Sequence, residues 1–234
     1  MSGIVGSRLN TRGSGIVGSL GTDGQILLSS GAGTSAAFET VSVGGDLSFG
    51  GDTFGADKVI GSNDSYALSF ETNNTIAMTI NTDGSINSPV QPTFLATHTS
   101  AQLNMTVSQE NTITFDTEVF DIGGNFASHT FTAPVTGKYL FSYIILVAAL
   151  DHDATYYAHT RVKTSNGDYS LNMSEQNMFE AQPELWPFRC SVVAEMDASD
   201  TAYVTFVNSG PGASQEDVYG VDPQYTWFSG CMVS

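Results

Sequence analysis

Apolar and polar residues alternate along two stretches in the middle of the chain, Ser65-Tyr66-Ala67-Leu68-Ser69-Phe70 and Thr75-Ile76-Ala77-Met78-Thr79-Ile80. A period of two is the signature of strands that bury one face. Asn73-Asn74 lies between them and tolerates the positive φ of a tight hairpin turn. Asp83-Gly84 supplies a second turn before Ser85-Ile86-Asn87. A hairpin of this size is marginal alone, so its apolar stripe is expected to pack against the same stripe of neighbouring chains.

From Thr93 onward the pattern predicts many short strands. The clearest are Thr112–Phe115, His129–Thr132, Lys138–Val147, Tyr156–Lys163, Arg189–Met196, Ala202–Asn208 and Thr226–Val233. Turn signals separate them: Gly123-Gly124, Pro134, Asn166-Gly167 and Ser209-Gly210-Pro211-Gly212. Short strands at regular spacing point to a β-sandwich or jelly roll. Tyr139, Phe141 and Tyr143 alternate and so share one strand face, as the anchor of a core or a subunit interface. Gly137, after Pro134-Val135-Thr136, is read as the residue that turns the chain into this strand.

The first forty residues follow neither pattern. Ser2-Gly3-Ile4-Val5-Gly6-Ser7 returns as Ser14-Gly15-Ile16-Val17-Gly18-Ser19. So many glycines exclude a stable isolated helix, and the segment buries too little apolar area to order by itself. It is expected to dock on a partner or on copies of itself, through Ile4, Val5, Ile16 and Val17. Arg8 and Arg12, the basic residues that precede Lys58, are candidates for bidentate pairing with carboxylates. Three segments result: an extended anchor over 1–40, a short β-rich shaft over 41–92, and a globular head over 93–234.

Composition narrows the function. The formal net charge is −17 and charged residues make up 13% of the chain, below the roughly 25% usual for soluble domains. An acidic surface repels nucleic acid and anionic lipid and favours solubility. The MSGIVGSRLN start has no apolar h-region of a secretory signal, and no apolar run reaches the length of a membrane span. Cys190 and Cys231, both in apolar runs, read as buried thiols rather than a disulfide framework.

Catalytic chemistry finds no motif. His98, His129, His152 and His159 lack a partner at helical metal-binding spacing. There is no nucleophile elbow, no phosphate loop, and no identifiable carboxylate pair of a depolymerase. The expectation is a protein that is not an enzyme and carries no cofactor. Asp151 and Asp153, flanking His152, are weak candidates for a calcium site, with a solvated loop as the plainer reading. Asp197, Asp200, Glu216, Asp217 and Asp222 fall near strand ends and could converge. Tyr156, Tyr157, Trp186 and Trp227 could stack on a glycan, although packing accounts for them more simply.

The third segment resembles the complement C1q-like head, a relative of the tumour necrosis factor fold. The resemblance rests on Phe131-x5-Gly137-x-Tyr139-x-Phe141-x-Tyr143, on Phe115-x5-Asp121-x4-Phe126 upstream, and on Phe228-Ser229-Gly230-Cys231-Met232-Val233 at the end. The spacer between Phe126 and Phe131 is shorter than the family's usual one. The resemblance implies an all-β jelly-roll head that forms tight homotrimers, binds ligands through strand-end loops and, in some relatives, holds calcium. It casts Phe115, Phe126, Phe131, Tyr139, Phe141, Tyr143 and Phe228 as core or trimer residues.

Gly21-Thr22-Asp23-Gly24-Gln25-Ile26-Leu27-Leu28-Ser29-Ser30-Gly31-Ala32-Gly33-Thr34 is similar to a motif of structural proteins in marine tailed phages, and Met78–Ile86 resembles a fibre-shaft repeat. Anchor, shaft and head in that order are the layout of a fibre. The expected protein is a virion appendage, assembled in the host bacterial cytoplasm, with its head outward and able to aid host adsorption. It would touch other virion proteins through its N-terminal segment and a host glycan or protein through its head. A capsid decoration or head fibre, or a lectin-like module independent of a particle, are the alternatives.

Overall fold

The computed structural model of the chain describes residues 25–28, 37–40, 55–148, 150, 156–175, 178, 180–181, 183–210, 216–220 and 225–234. It divides into two compact units, 1–60 and 61–234. In the first, β1 (Gln25–Leu28) and β2 (Ala37–Thr40) pair antiparallel. No α-helix forms among the described residues.

The second unit opens with a three-stranded antiparallel sheet of β3 (Leu68–Thr72), β4 (Thr75–Ile80) and β5 (Ile86–Asn87). Asn73 and Asn74 sit at φ 48° and 60° in the turn between β3 and β4, the conformation of a two-residue hairpin loop. Directly opposed residues share a sheet face. Leu68 faces Ile80, which faces Ile86, and Phe70 faces Met78. The register then slips, so that Glu71 faces Ile76 and Ala77 is left over. This bulge moves Ile76 off the face of Met78 and Ile80, against the strict alternation expected from the sequence.

The rest is a sandwich of two antiparallel sheets. The seven-stranded sheet contains β6 (Thr93–Thr97), β7 (Gln102–Met105), β9 (Thr117–Ile122), β12 (Gly137–Ala148), β15 (Leu185–Met196), β17 (Glu216–Val218) and β18 (Trp227–Met232). Its central strand is β12, paired along its full length with β15 and on the other edge with β18 and then β17. The six-stranded sheet contains β8 (Glu110–Thr112), β10 (Phe126–Ala127), β11 (Thr130–Thr132), β13 (Tyr157–Thr164), β14 (Gly167–Glu175) and β16 (Thr201–Ser209). Here β16 is central, flanked by β13 on one edge and by β11 and β8 on the other. The all-β jelly-roll fold expected from the sequence is the fold observed.

Aromatic rings fill the space between the sheets. Phe94 stacks on Phe126 at 4.7 Å and on Phe131 at 5.1 Å, and meets Phe228 edge-on at 5.0 Å. Phe131 meets Phe141 edge-on at 5.6 Å. Each buried Phe contributes about 1.5–3 kcal/mol by transfer alone. Gly230 is required in this packing, because a Cβ there would lie 2.6 Å from Phe94 and 2.7 Å from Phe141. Tyr143 is a polar member, with its hydroxyl 2.6 Å from Thr160 Oγ1 across the sandwich. Burial pushes its phenol well above the ordinary tyrosine range.

The structure gives one local reading its form and changes another. The short spacer after Phe126 is a tight hairpin: Phe126 pairs with Phe131, and the turn residues Ser128 and His129 sit at φ 49° and 67°. Gly137 is absent from the positive-φ residues and is not a turn residue. It is needed because the Ser234 carbonyl packs where its Cβ would be, at 2.5 Å, while Lys138 N donates to that same carbonyl at 2.7 Å.

Candidate functional site

The strand β12 reads GKYLFSYIILVA, and its burial alternates without interruption from Tyr139 to Ala148. Tyr139, Phe141, Tyr143, Ile145 and Val147 point into the sandwich. The alternate residues Leu140, Ser142, Ile144, Leu146 and Ala148 lie on the outer face, and four of the five are apolar. A strand apolar on both faces belongs to a sheet covered on both sides.

The neighbouring strands extend this outer face. One row runs Val193, Leu140, Cys231, Thr93, Ile122 across five strands. The next runs Ser191, Ser142, Ser229, Leu95, Phe120, and the next begins Arg189, Ile144, Trp227, Thr97. Val193 is 52% exposed and Phe120 is 45% exposed. Leu95, Thr97, Phe120, Trp227 and Ser229 line an open hollow of about 390 Å³. Ser142 and Ser191 satisfy each other at 2.9 Å. Arg189 is the one charge in these three rows. Contiguous exposed apolar area of this kind marks an interaction surface.

The outer face of the six-stranded sheet is built differently. Lys163 Nζ donates to Glu110 Oε2 at 2.7 Å, and Arg161 lies 3.6 Å from Glu110 and 3.7 Å from Asp168. Thr205 Oγ1 donates to Glu110 Oε1 at 3.0 Å. Partial burial raises the Glu110 carboxyl, but the Lys163 and Thr205 hydrogen bonds outweigh it and hold the group below its ordinary range. Lys163 is raised by its hydrogen bond to Glu110. Tyr157 stacks on His159 at 5.7 Å beside this network, and burial lowers the imidazole.

All seven aromatic residues singled out in the sequence lie between the sheets: Phe115, Phe126, Phe131, Tyr139, Phe141, Tyr143 and Phe228 are buried members of one cluster. None is on an outer face. The residues that make the apolar outer face, Leu140, Ile144, Leu146, Val193 and Phe120, were not singled out; the missed signal is that four of the five even positions from Leu140 to Ala148 are apolar. Asp151 and Asp153 lie outside the described residues, as do Ile4, Val5, Arg8, Arg12, Ile16 and Val17.

The acidic residues near strand ends do not converge. Met196, next to Asp197, faces Gly137 at one end of β12, and Asp217 faces Ala148 at the other. Asp200 Oδ2 is spent on the Asp197 amide at 2.8 Å and on Asn166 Nδ2 at 2.7 Å, and Asp217 Oδ1 on the Asn104 amide at 2.7 Å. Asp222 lies outside the described residues. No group of three metal-ligating side chains gathers among the described residues. The aromatic set does not form one platform either: Trp227 and Tyr157 belong to opposite outer faces, and Trp186 packs against the core.

The sandwich thus has one outer face that carries paired charges and one that is largely apolar. The chain belongs to the C1q domain family, whose model matches residues 93–233. Domains of this family are in general binding modules rather than enzymes. Among solved structures, the chain is similar to the globular domain of zebrafish complement 1qA protein, at 15% identity over 62% of this chain and 98% of that one, with a TM-score of 0.44. It is also similar to murine APRIL, at 12% identity over 61% of this chain and 99% of that one, with a TM-score of 0.43. No curated protein matches the chain in sequence.

Proposed function

We propose that this chain is a homotrimeric structural protein of a tailed-phage particle, held by residues 1–40 and presenting the C1q-like head outward, where it can aid adsorption to the host. The observation that carries the assembly is the apolar outer face of the seven-stranded sheet. Leaving Leu140, Ile144, Leu95, Phe120 and Trp227 in water forfeits about 25 cal/mol for every Å² of apolar surface that a partner could cover. A cyclic trimer brings unlike patches together around its axis. This face supplies two, the hollow beside Trp227 and the edge strand β15 with Leu185 and Val193.

The particle context is supported by the sequence alone: the repeated Ser-Gly-Ile-Val-Gly-Ser units, and the order of anchor, shaft and head. Deleting residues 1–40 tests it. The truncated protein is expected to remain folded and trimeric and to be missing from assembled particles. Purified particles that carry it at normal occupancy would place attachment in the shaft or the head.

A further inference from the structure

The three-stranded sheet of β3, β4 and β5 has its own uncovered apolar face. Leu68, Ile80 and Ile86 form one cross-strand row and Phe70 with Met78 the next. Ile86 is 67% exposed and Phe70 is 45% exposed. The opposite face carries Ser69, Thr79 and Asn87 in one row, with Ser69 Oγ 3.0 Å from Thr79 Oγ1, and then Glu71 beside Ile76. The sheet is therefore amphipathic but has no second layer among the described residues, and a one-layered sheet of three short strands needs its apolar face covered to be stable.

Charge and tethering identify what covers it. The chain carries a formal net charge of −17, so copies of it repel unless they meet through faces without carboxylates. The five residues Leu68, Phe70, Met78, Ile80 and Ile86 are all uncharged, while Glu71 lies on the other face. A charged partner would find nothing here to pair with. The segment between β5 and β6 is short and fixed to the head: Gln91 Nε2 donates to the Met232 carbonyl at 2.7 Å, and Met232 N donates to the Pro92 carbonyl at 3.0 Å. Copies that assemble through their heads therefore hold their small sheets at high effective concentration. Five side chains per copy fall well short of the roughly 1,000 Å² that an independent interface needs, so the contact forms as a continuation of head assembly.

We propose that the face of Leu68, Phe70, Met78, Ile80 and Ile86 is buried against the same face of the neighbouring copies, so that three sheets close into a β-stalk beneath the heads. This rests on the trimeric reading of the head. The test uses the full chain carrying either Ile86→Cys on the apolar face or Thr79→Cys on the polar face, with the unsubstituted chain as the control for disulfides formed through Cys231. Each is mildly oxidised and run on a non-reducing gel, and its mass is measured by light scattering before oxidation. The expected result is a trimeric mass for both and a disulfide-linked pair at least fivefold more abundant for Ile86→Cys. A trimeric mass with no preference for Ile86→Cys overturns the stalk and leaves the head assembly standing. A monomeric mass for the unsubstituted chain overturns both.

Discussion

The two outer faces of the sandwich stand on similar strands and share one core, yet they solve opposite problems. On the six-stranded sheet, Arg161 and Lys163 of β13 are matched by Glu110 from β8 and Asp168 from β14. That face is finished in water: its four central charges, Arg161, Lys163, Glu110 and Asp168, pair with one another. On the seven-stranded sheet, Leu140, Ile144 and Leu146 of β12 sit beside Val193, Trp227 and Leu95. That face is unfinished in water. The difference marks the seven-stranded face as the candidate interaction surface, without reference to any ligand.

The largest effect is expected where the faces share a support. Phe141→Ala removes a fully buried ring in contact with Phe131, Tyr139 and Phe228, and should cost about 3–5 kcal/mol in chemical denaturation. A cost below about 1 kcal/mol would show that the ring is not part of a packed core. Next comes Leu95→Asp, which puts a charge on the apolar face between Ser229 and Phe120. It should weaken self-association by about 100-fold or more, because a buried unpaired carboxylate costs several kcal/mol, while the circular dichroism spectrum stays that of a β protein. Unchanged assembly would move the interface elsewhere.

Acid separates local supports from the faces. Asp116 is raised by partial burial, but hydrogen bonds from the Thr99 amide and hydroxyl, the Thr117 hydroxyl and the Ser100 amide hold it down to about 2 from 3.8. Its contribution is present above 3.8 and lost as pH falls towards 2. Burial lowers His98 and His159 from 6.5, so the neutral forms support the fold above 6.5, and stability starts to fall as pH drops below that value. Thermal melts should therefore decline in two stages, below about 6.5 and again below about 4. A melting temperature flat from pH 7 to 5 would contradict the first stage. The smallest effect is expected on the finished face: Glu110→Gln should cost about 0.5–1 kcal/mol, since exposed ion pairs contribute little, and should leave the oligomeric mass unchanged.

Much of the core was legible before the structure. The alternation of Tyr139, Phe141 and Tyr143 gives the inner face of β12 correctly, and Asn73-Asn74 gives the hairpin turn. Strand β6 was hidden because its five residues carry no turn signal of their own, and β14 because GDYSLNMSE mixes polar and apolar residues on a strand at the sheet edge. Ile76 shows a limit of pattern reading: a bulge at Ala77 reverses the face of everything beyond it. The apolar outer face escaped for a physical reason. A strand apolar on both sides has no period, so its even positions look like more core.

The central claim is that the outer face of the seven-stranded sheet is covered by other copies of the chain. Light scattering of the purified full-length protein at micromolar concentration tests it most directly. The account predicts a mass three times that of the 24.8 kDa chain. A folded, stable species of 24.8 kDa would contradict it.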